Sequence, residues 1–230
     1  TYHTFSYSAL ADDEGLGIGM FCVVTEDTRR VIGQRRMDTL RRLTADLNRI
    51  SQEPDVMQAL VRELGHNPRD LPFTLTYLFD EHGTACLAAA SGTGDPGTVV
   101  VSRLDAGNAL GWPIGALLSG APATMVPVLP DHFGVVPCGA WDRAPTQAWI
   151  TPIKTQGEQR PAGFFVAGLN PYQGFDTDYQ AFVDLLAGQI AAGIANARSH
   201  AASHQRMEAM AQIDRAKTAF FSNVSHEFRT

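Results

Sequence analysis

The sequence predicts an α/β fold of the α+β kind, an antiparallel sheet flanked by helices, with a long coiled-coil-type helix at each end. Three observations carry this. Residues 146–153 and 163–169 are β-prone and close in sequence, so they pair as strands. From Asp176 to the last residue no proline interrupts the chain, and the tract reads as one helix far longer than the dozen or so residues of an ordinary globular helix. Near the other end, Leu40, Leu43, Leu47 and Ile50 recur at spacings of three, four and three, a heptad-like stripe.

Along the chain, residues 4–9 alternate apolar and polar, residues 12–17 are turn-like, and residues 19–24 are strongly β-prone. Together they predict a hairpin. A lone hairpin is barely stable in water, so residues 1–24 read as the last piece of a domain that begins upstream. Residues 25–28 offer N-caps with acids in the first turn, opening a helix that runs to about Ser51. Arg29, Arg30, Arg35, Arg36, Arg41 and Arg42 fall off its leucine stripe and read as a solvated basic face. A second helix opens at Pro54, buries Val56, Leu60, Val61 and Leu64, and stops at Gly65.

Residues 71–79 and 84–90 read as strands around an Asp-Glu-His-Gly turn. Residues 91–111 are a glycine-rich loop holding a short strand at 98–102. Residues 112–118 form a short helix with Pro113 near its start, and residues 123–126 form a strand. A loop over 127–145 carries Cys138 and Trp141, and the turn joining the last two strands lies at 156–158. In the final helix Ile190, Ile194, Ala197, Ala201 and His204 alternate four and three, and Met207 breaks the phase, as in a coiled coil with a local change of winding.

The 230 residues, 44% hydrophobic, suffice for one filled core with long appendages. A net charge of −6 argues against a nucleic-acid partner. Cys22, Cys86 and Cys138 lie far apart without a C-x-x-C, so neither zinc nor a disulfide framework is expected; all three read as buried, inert thiols in a reducing cytoplasm. With no run of about 18 apolar residues, no membrane contact is expected from this segment.

The order helix, two strands, glycine-rich loop, short helix, further strands and closing helix over residues 52–197, with the stretch RPAGFFVAGLNP at 160–171, resembles a GAF domain, a small-molecule-sensing module. The hairpin ending at residues 19–25 resembles the close of a PAS domain. Residues 217–230, KTAFFSNVSHEFRT, resemble the H-box of sensor histidine kinases. The match runs position by position, with Phe220 and Val224 as apolar anchors and then Ser225, His226, Glu227, Phe228, Arg229 and Thr230. That box opens the dimerisation and histidine-phosphotransfer domain, and in the family it continues with Pro-Leu. The chain thus reads as a piece of a longer kinase, ending inside its phosphoacceptor helix. The expected organisation is a truncated PAS-like hairpin at 1–24, a signalling helix at 25–51, a GAF-like sensor at 52–197, and a signalling helix with the start of the phosphotransfer domain at 198–230.

A neutral imidazole nitrogen is a nucleophile near pH 7, and a neighbouring carboxylate can hold its other N–H and stabilise developing positive charge. The resemblance implies that His226 is the phosphoacceptor, that Glu227 orients it as acid–base partner, and that Thr230, one helical turn on, positions a water for dephosphorylating a partner. It implies ATP and magnesium in the parent kinase and no cofactor in this segment. Its implied partners are a second copy in a homodimer, the parent's ATP-binding domain and a response-regulator receiver domain. No glycine-rich nucleotide-binding element occurs here, so the segment is expected to be inactive alone. Tyr77, Phe79, Trp112, Cys138, Trp141 and Trp149 are candidates to line a ligand pocket or to fill the core. The ligand is unassigned. The alternative is a GAF module that senses a small molecule, or serves as a dimerisation spacer, with no catalysis of its own.

Overall fold

The computed structural model describes residues 1–94, 97–105, 112–155 and 160–227, with side chains placed as far as Lys217 except at His132. Strands β1 (His3–Ala11) and β2 (Gly17–Glu26) form a separate antiparallel ribbon. Its turn is closed by the Asp12 carboxylate, which accepts from Leu16 N at 2.7 Å and Glu14 N at 3.1 Å, while Gly15 takes the left-handed φ of 81°. Every strand residue of this ribbon is exposed, Cys22 included, so that thiol is not buried as the sequence suggested; Cys86 and Cys138 are half-buried.

Helices α1 (Thr28–Leu47) and α2 (Glu53–Gly65) precede the main sheet. That sheet comprises β3 (Thr74–Phe79), β4 (Ala85–Ser91), β5 (Arg103–Leu104), β6 (Thr124–Pro127), β7 (Gln147–Ile153) and β8 (Gly163–Gly168), ordered β5-β4-β3-β8-β7-β6 with antiparallel neighbours throughout. Helix α3 (Ile114–Leu118) sits between β5 and β6, and α4 (Thr177–Glu227) follows β8. The expected strand at 98–102 is absent. Thr98 makes a single bridge to Gly134, Ser102 O accepts from Leu87 N of β4 at 2.8 Å, and the paired strand itself spans Arg103–Leu104. The expected turn at 156–158 lies outside the described residues.

Strand alternation gives the sheet two buried faces. Phe165 and Ala167 of β8 face the helices, among Leu43 and Leu47 of α1, Leu60 and Leu64 of α2, and Val183, Ile190 and Ile194 of α4. Phe164 and Val166 face the loop side, among Phe73, Tyr77, Trp112, Ile114 and Phe133. Gly163 opens β8 because a Cβ there would lie 1.9 Å from Tyr77 O.

Several expectations change in three dimensions. Val61 is 43% exposed, and Met57 and Ala59 fill the α2 face instead. Ile190, Ile194 and Ala197, three of the five residues of the predicted coiled-coil stripe, are buried in the chain's own core, whereas Ala201 and His204 are exposed. Arg35 and Arg36 do not belong to a solvated face. Arg35 donates to both oxygens of Asp70, each at 2.7 Å, and Arg36 is only 6% exposed. Asp70 is wholly buried and also accepts from Asn67 Nδ2 at 3.0 Å, while Tyr179 OH of α4 donates to its backbone carbonyl. One carboxyl residue thus joins α1, the turn after α2, and α4.

Because Leu43 is fully buried among α2 and α4 residues, Leu43→Ala should cost about 2–5 kcal/mol in urea unfolding. Met37→Ala, on the half-exposed side of the same helix, should change stability by less than about 0.5 kcal/mol.

Candidate functional site

The six pocket candidates divide among separate places. Tyr77, Phe79 and Trp112 come together on the loop-covered face. The Tyr77 ring stacks on Phe164 at 5.1 Å and meets the edge of Trp112 at 6.3 Å, and Phe79 packs on Phe164 at 5.7 Å. Tyr77 OH donates to Val101 O at 2.7 Å, which fastens the loop before β5 to the sheet. Burial raises the Tyr77 phenol well above its ordinary pKa, so it stays a neutral donor. Phe79, at the end of β3, also lines a surface groove of about 500 Å³ with Leu118 and Arg160.

Trp149 occupies the other face of the sheet. Its Nε1 donates to Asp184 Oδ1 of α4 at 2.9 Å, and Thr151 Oγ1 donates to the same oxygen at 3.1 Å. This pair ties β7 to α4. Trp141 lies near the α2–β3 turn, where Nε1 donates to Arg69 O at 3.0 Å and the ring packs on Tyr172 at 5.4 Å. The Cys138 thiol donates to Val136 O at 3.6 Å. Tyr77, Phe79 and Trp112 therefore share one aromatic cluster, and Cys138, Trp141 and Trp149 lie outside it.

Of the residues that the sequence likens to an H-box, His226 and Glu227 lie in the last turn of α4, and Thr230 lies outside the described residues. Helix α4 is continuous from Thr177 to Glu227, with Tyr179 held at Asp70 and Ile194 in the core. From Ser199 to Lys217 every position is exposed, including Met207, Met210 and Ile213. No group of three or more His, Cys, Asp or Glu suited to a metal occurs among the described residues, and no described helix is long and apolar enough to cross a membrane.

The sequence reading missed Asp70, Asn67 and Tyr179, which form the polar centre of the helical layer. Burial raises the Tyr179 phenol above its ordinary pKa, keeping it a donor to Asp70 O. A trace of this centre was visible in the paired arginines of α1, which required an acid somewhere if buried.

A family model described as GAF domain matches residues 51–195. Among solved structures, a GAF domain from a Coxiella burnetii phosphoenolpyruvate-protein phosphotransferase is 22% identical with a TM-score of 0.52, aligned over 73% of this chain and 96% of that one. Its Acinetobacter counterpart is 20% identical, with a TM-score of 0.51 over 72% and 95%. The phycoerythrobilin-bound GAF domain of a cyanobacterial phytochrome is 16% identical, with a TM-score of 0.51 over 71% and 96%. At these identities the likeness establishes the fold alone. No curated protein matches the sequence.

Tyr77→Phe keeps the aromatic cluster and removes one buried hydrogen bond to the loop before β5. It should cost about 1 kcal/mol in urea unfolding and speed amide exchange over residues 99–104.

Proposed function

The chain belongs to the GAF domain family, and from that footing we propose that it is the sensory portion of a two-component sensor histidine kinase. A state sensed by the GAF domain passes along α4, within a parallel homodimer, to phosphoacceptor His226. The observation that carries this reading is the H-box-like motif at 217–230, whose residues 217–227 continue the same unbroken helix that packs into the core of the domain. His226 supplies the nucleophilic imidazole, Glu227 orients and charges it, and Thr230 serves phosphatase-type water positioning toward a response-regulator receiver domain. ATP and magnesium belong to a kinase ATP-binding domain outside these 230 residues, because no nucleotide-binding motif occurs within them.

The β1–β2 ribbon serves as the closing hairpin of a PAS-like domain. One of its faces carries Phe5, Tyr7, Ile18, Met20 and Val24, an apolar set that an adjoining sheet would cover. The exposed Met207, Met210 and Ile213 supply an apolar strip for coiled-coil pairing with a second copy, and the phase slip at Met207 is the place where two helix packings can interchange.

A second reading, favoured by the family match alone, is a small-molecule sensor or dimerisation spacer with no catalytic role. The bilin-bound relative shares this fold, and the aromatic cluster of Tyr77, Phe79 and Trp112 occupies the loop-covered face here, so a ligand entering on that side must displace or stack on it.

Incubation of the chain with a histidine-kinase ATP-binding domain, ATP and magnesium separates the two readings. Acid-labile phosphate on the chain, lost in His226→Gln, is the expected result. No phosphate from a donor that labels its own phosphotransfer domain would overturn the kinase reading and leave the sensor reading. Native mass spectrometry of the same preparation should give twice the chain mass.

A further inference from the structure

Helix α1 and the start of α4 enclose a groove of about 540 Å³ on the outer side of the helical layer, on the opposite side of the sheet from the aromatic cluster. Its wall includes the apolar side chains Ile32, Leu40, Phe182 and Leu185, together with Arg36 and Gln173. Arg36 is 6% exposed, and its guanidinium carbon lies 4.1 Å from the Tyr179 ring centroid and 5.6 Å from that of Phe182.

Stacking on an aromatic ring uses the face of the guanidinium and leaves its in-plane N–H groups in need of acceptors. Among the described residues, Nε and Nη2 of Arg36 have none. The nearest acid is Asp70, but Nε stands 3.6 Å from Asp70 Oδ1, outside hydrogen-bond range. Asp70 cannot come closer, because both of its oxygens are held by Arg35 at 2.7 Å and one also by Asn67. In the same groove Gln173 Oε1 is buried without a donor. Orphaned polar atoms on a buried cation are costly, and a fold that retains them has a use for them.

We propose that this groove binds a small monocarboxylic acid with an apolar body, its carboxylate taken by the Arg36 guanidinium. The carboxylate accepts from Nε and Nη2 in the side-on geometry that arginine offers. The apolar body lies along Phe182, Leu185 and Leu40. Because both nitrogens are shut from water, the acid enters with a rotamer change in half-buried Gln173, whose Oε1 then takes a donor from the ligand if it carries a hydroxyl or amino group beside the carboxyl. The first turn of α4, Thr177 and Asp178, also lines the groove and adds the positive end of a long helix. Asp176 and Asp178 line it too, against Arg29 and Arg36, so the lining has no excess of positive charge and a dianion such as phosphate is disfavoured against a single negative charge. A ligand here would press on α1 and on the first turns of α4 together. The proposal goes beyond the sensor-kinase reading and does not require it.

Calorimetric titration of the full chain with octanoate, and with octanamide as its uncharged match, tests the proposal. Saturable one-to-one binding of octanoate, at least about tenfold tighter than octanamide, is expected. Arg36→Gln should weaken octanoate by about tenfold or more and erase the preference for the acid. Leu185→Glu, at a position 53% exposed and so tolerant of change, should weaken it similarly even if Arg36→Gln fails to fold. Equal binding of acid and amide, or no binding of octanoate at millimolar concentration, would overturn the proposal. So would binding that survives both substitutions, which would place the ligand elsewhere and leave the sensor-kinase reading untouched.

Discussion

The buried carboxylate of Asp70 is the constraint on which the helical layer depends. A charge with no solvent exposure is tolerable only when paired and hydrogen-bonded, and here the pairing spans the fold. Arg35 comes from α1, Asn67 from the turn that closes α2, and Tyr179, which donates to the Asp70 carbonyl, from the start of α4. Apolar packing of Leu43, Leu60 and Ile190 brings the three helices together but allows some sliding. The geometric demands of a bidentate arginine fix their relative position.

This knot gives α4 two attachments to the sensor body. Its first turn is held at Asp70, and two turns on, Asp184 is held by Trp149 and Thr151 of β7. Strand β7 in turn pairs with β8, whose Phe164 carries the stacked ring of Tyr77 on the far face. A disturbance of the aromatic cluster therefore has a short packed route, through β8 and β7, to the helix that leads out toward His226. The outer groove at Arg36 acts on the same helix from its other side. In both cases α4 is the shared element, and its residues from Ser199 to Lys217 are exposed.

Much of the fold was legible because its signals are local. The β7–β8 pairing and the Gly15 turn follow from residues near one another in sequence. The errors share a different cause. Ile190, Ile194 and Ala197 show the period of a buried stripe, but a period does not say whether the partner is a second copy or the same chain; here it is α1, α2 and the sheet. Arg35 and Arg36 look like a solvated face until Asp70, 35 residues from Arg35, is folded against them. The β-prone run at 98–102 divides its backbone bonds, Val99 N going to Phe133 O and Ser102 O to Leu87 N of β4, so it forms no strand of its own. Of the candidate site, three of the six pocket residues share one cluster. Trp149 went astray because strand alternation, which puts it on the helix side, was not applied to β7.

Hydrogen exchange on Asp70→Asn tests most directly whether this knot positions the helices. The substitution keeps the size of the side chain and removes its charge. The account predicts that amides of α1 from Arg36 to Leu43 exchange at least about tenfold faster, while those of β3 and β8 keep their protection. Unchanged exchange in α1, or loss of protection in α1 and the sheet in step, would contradict it.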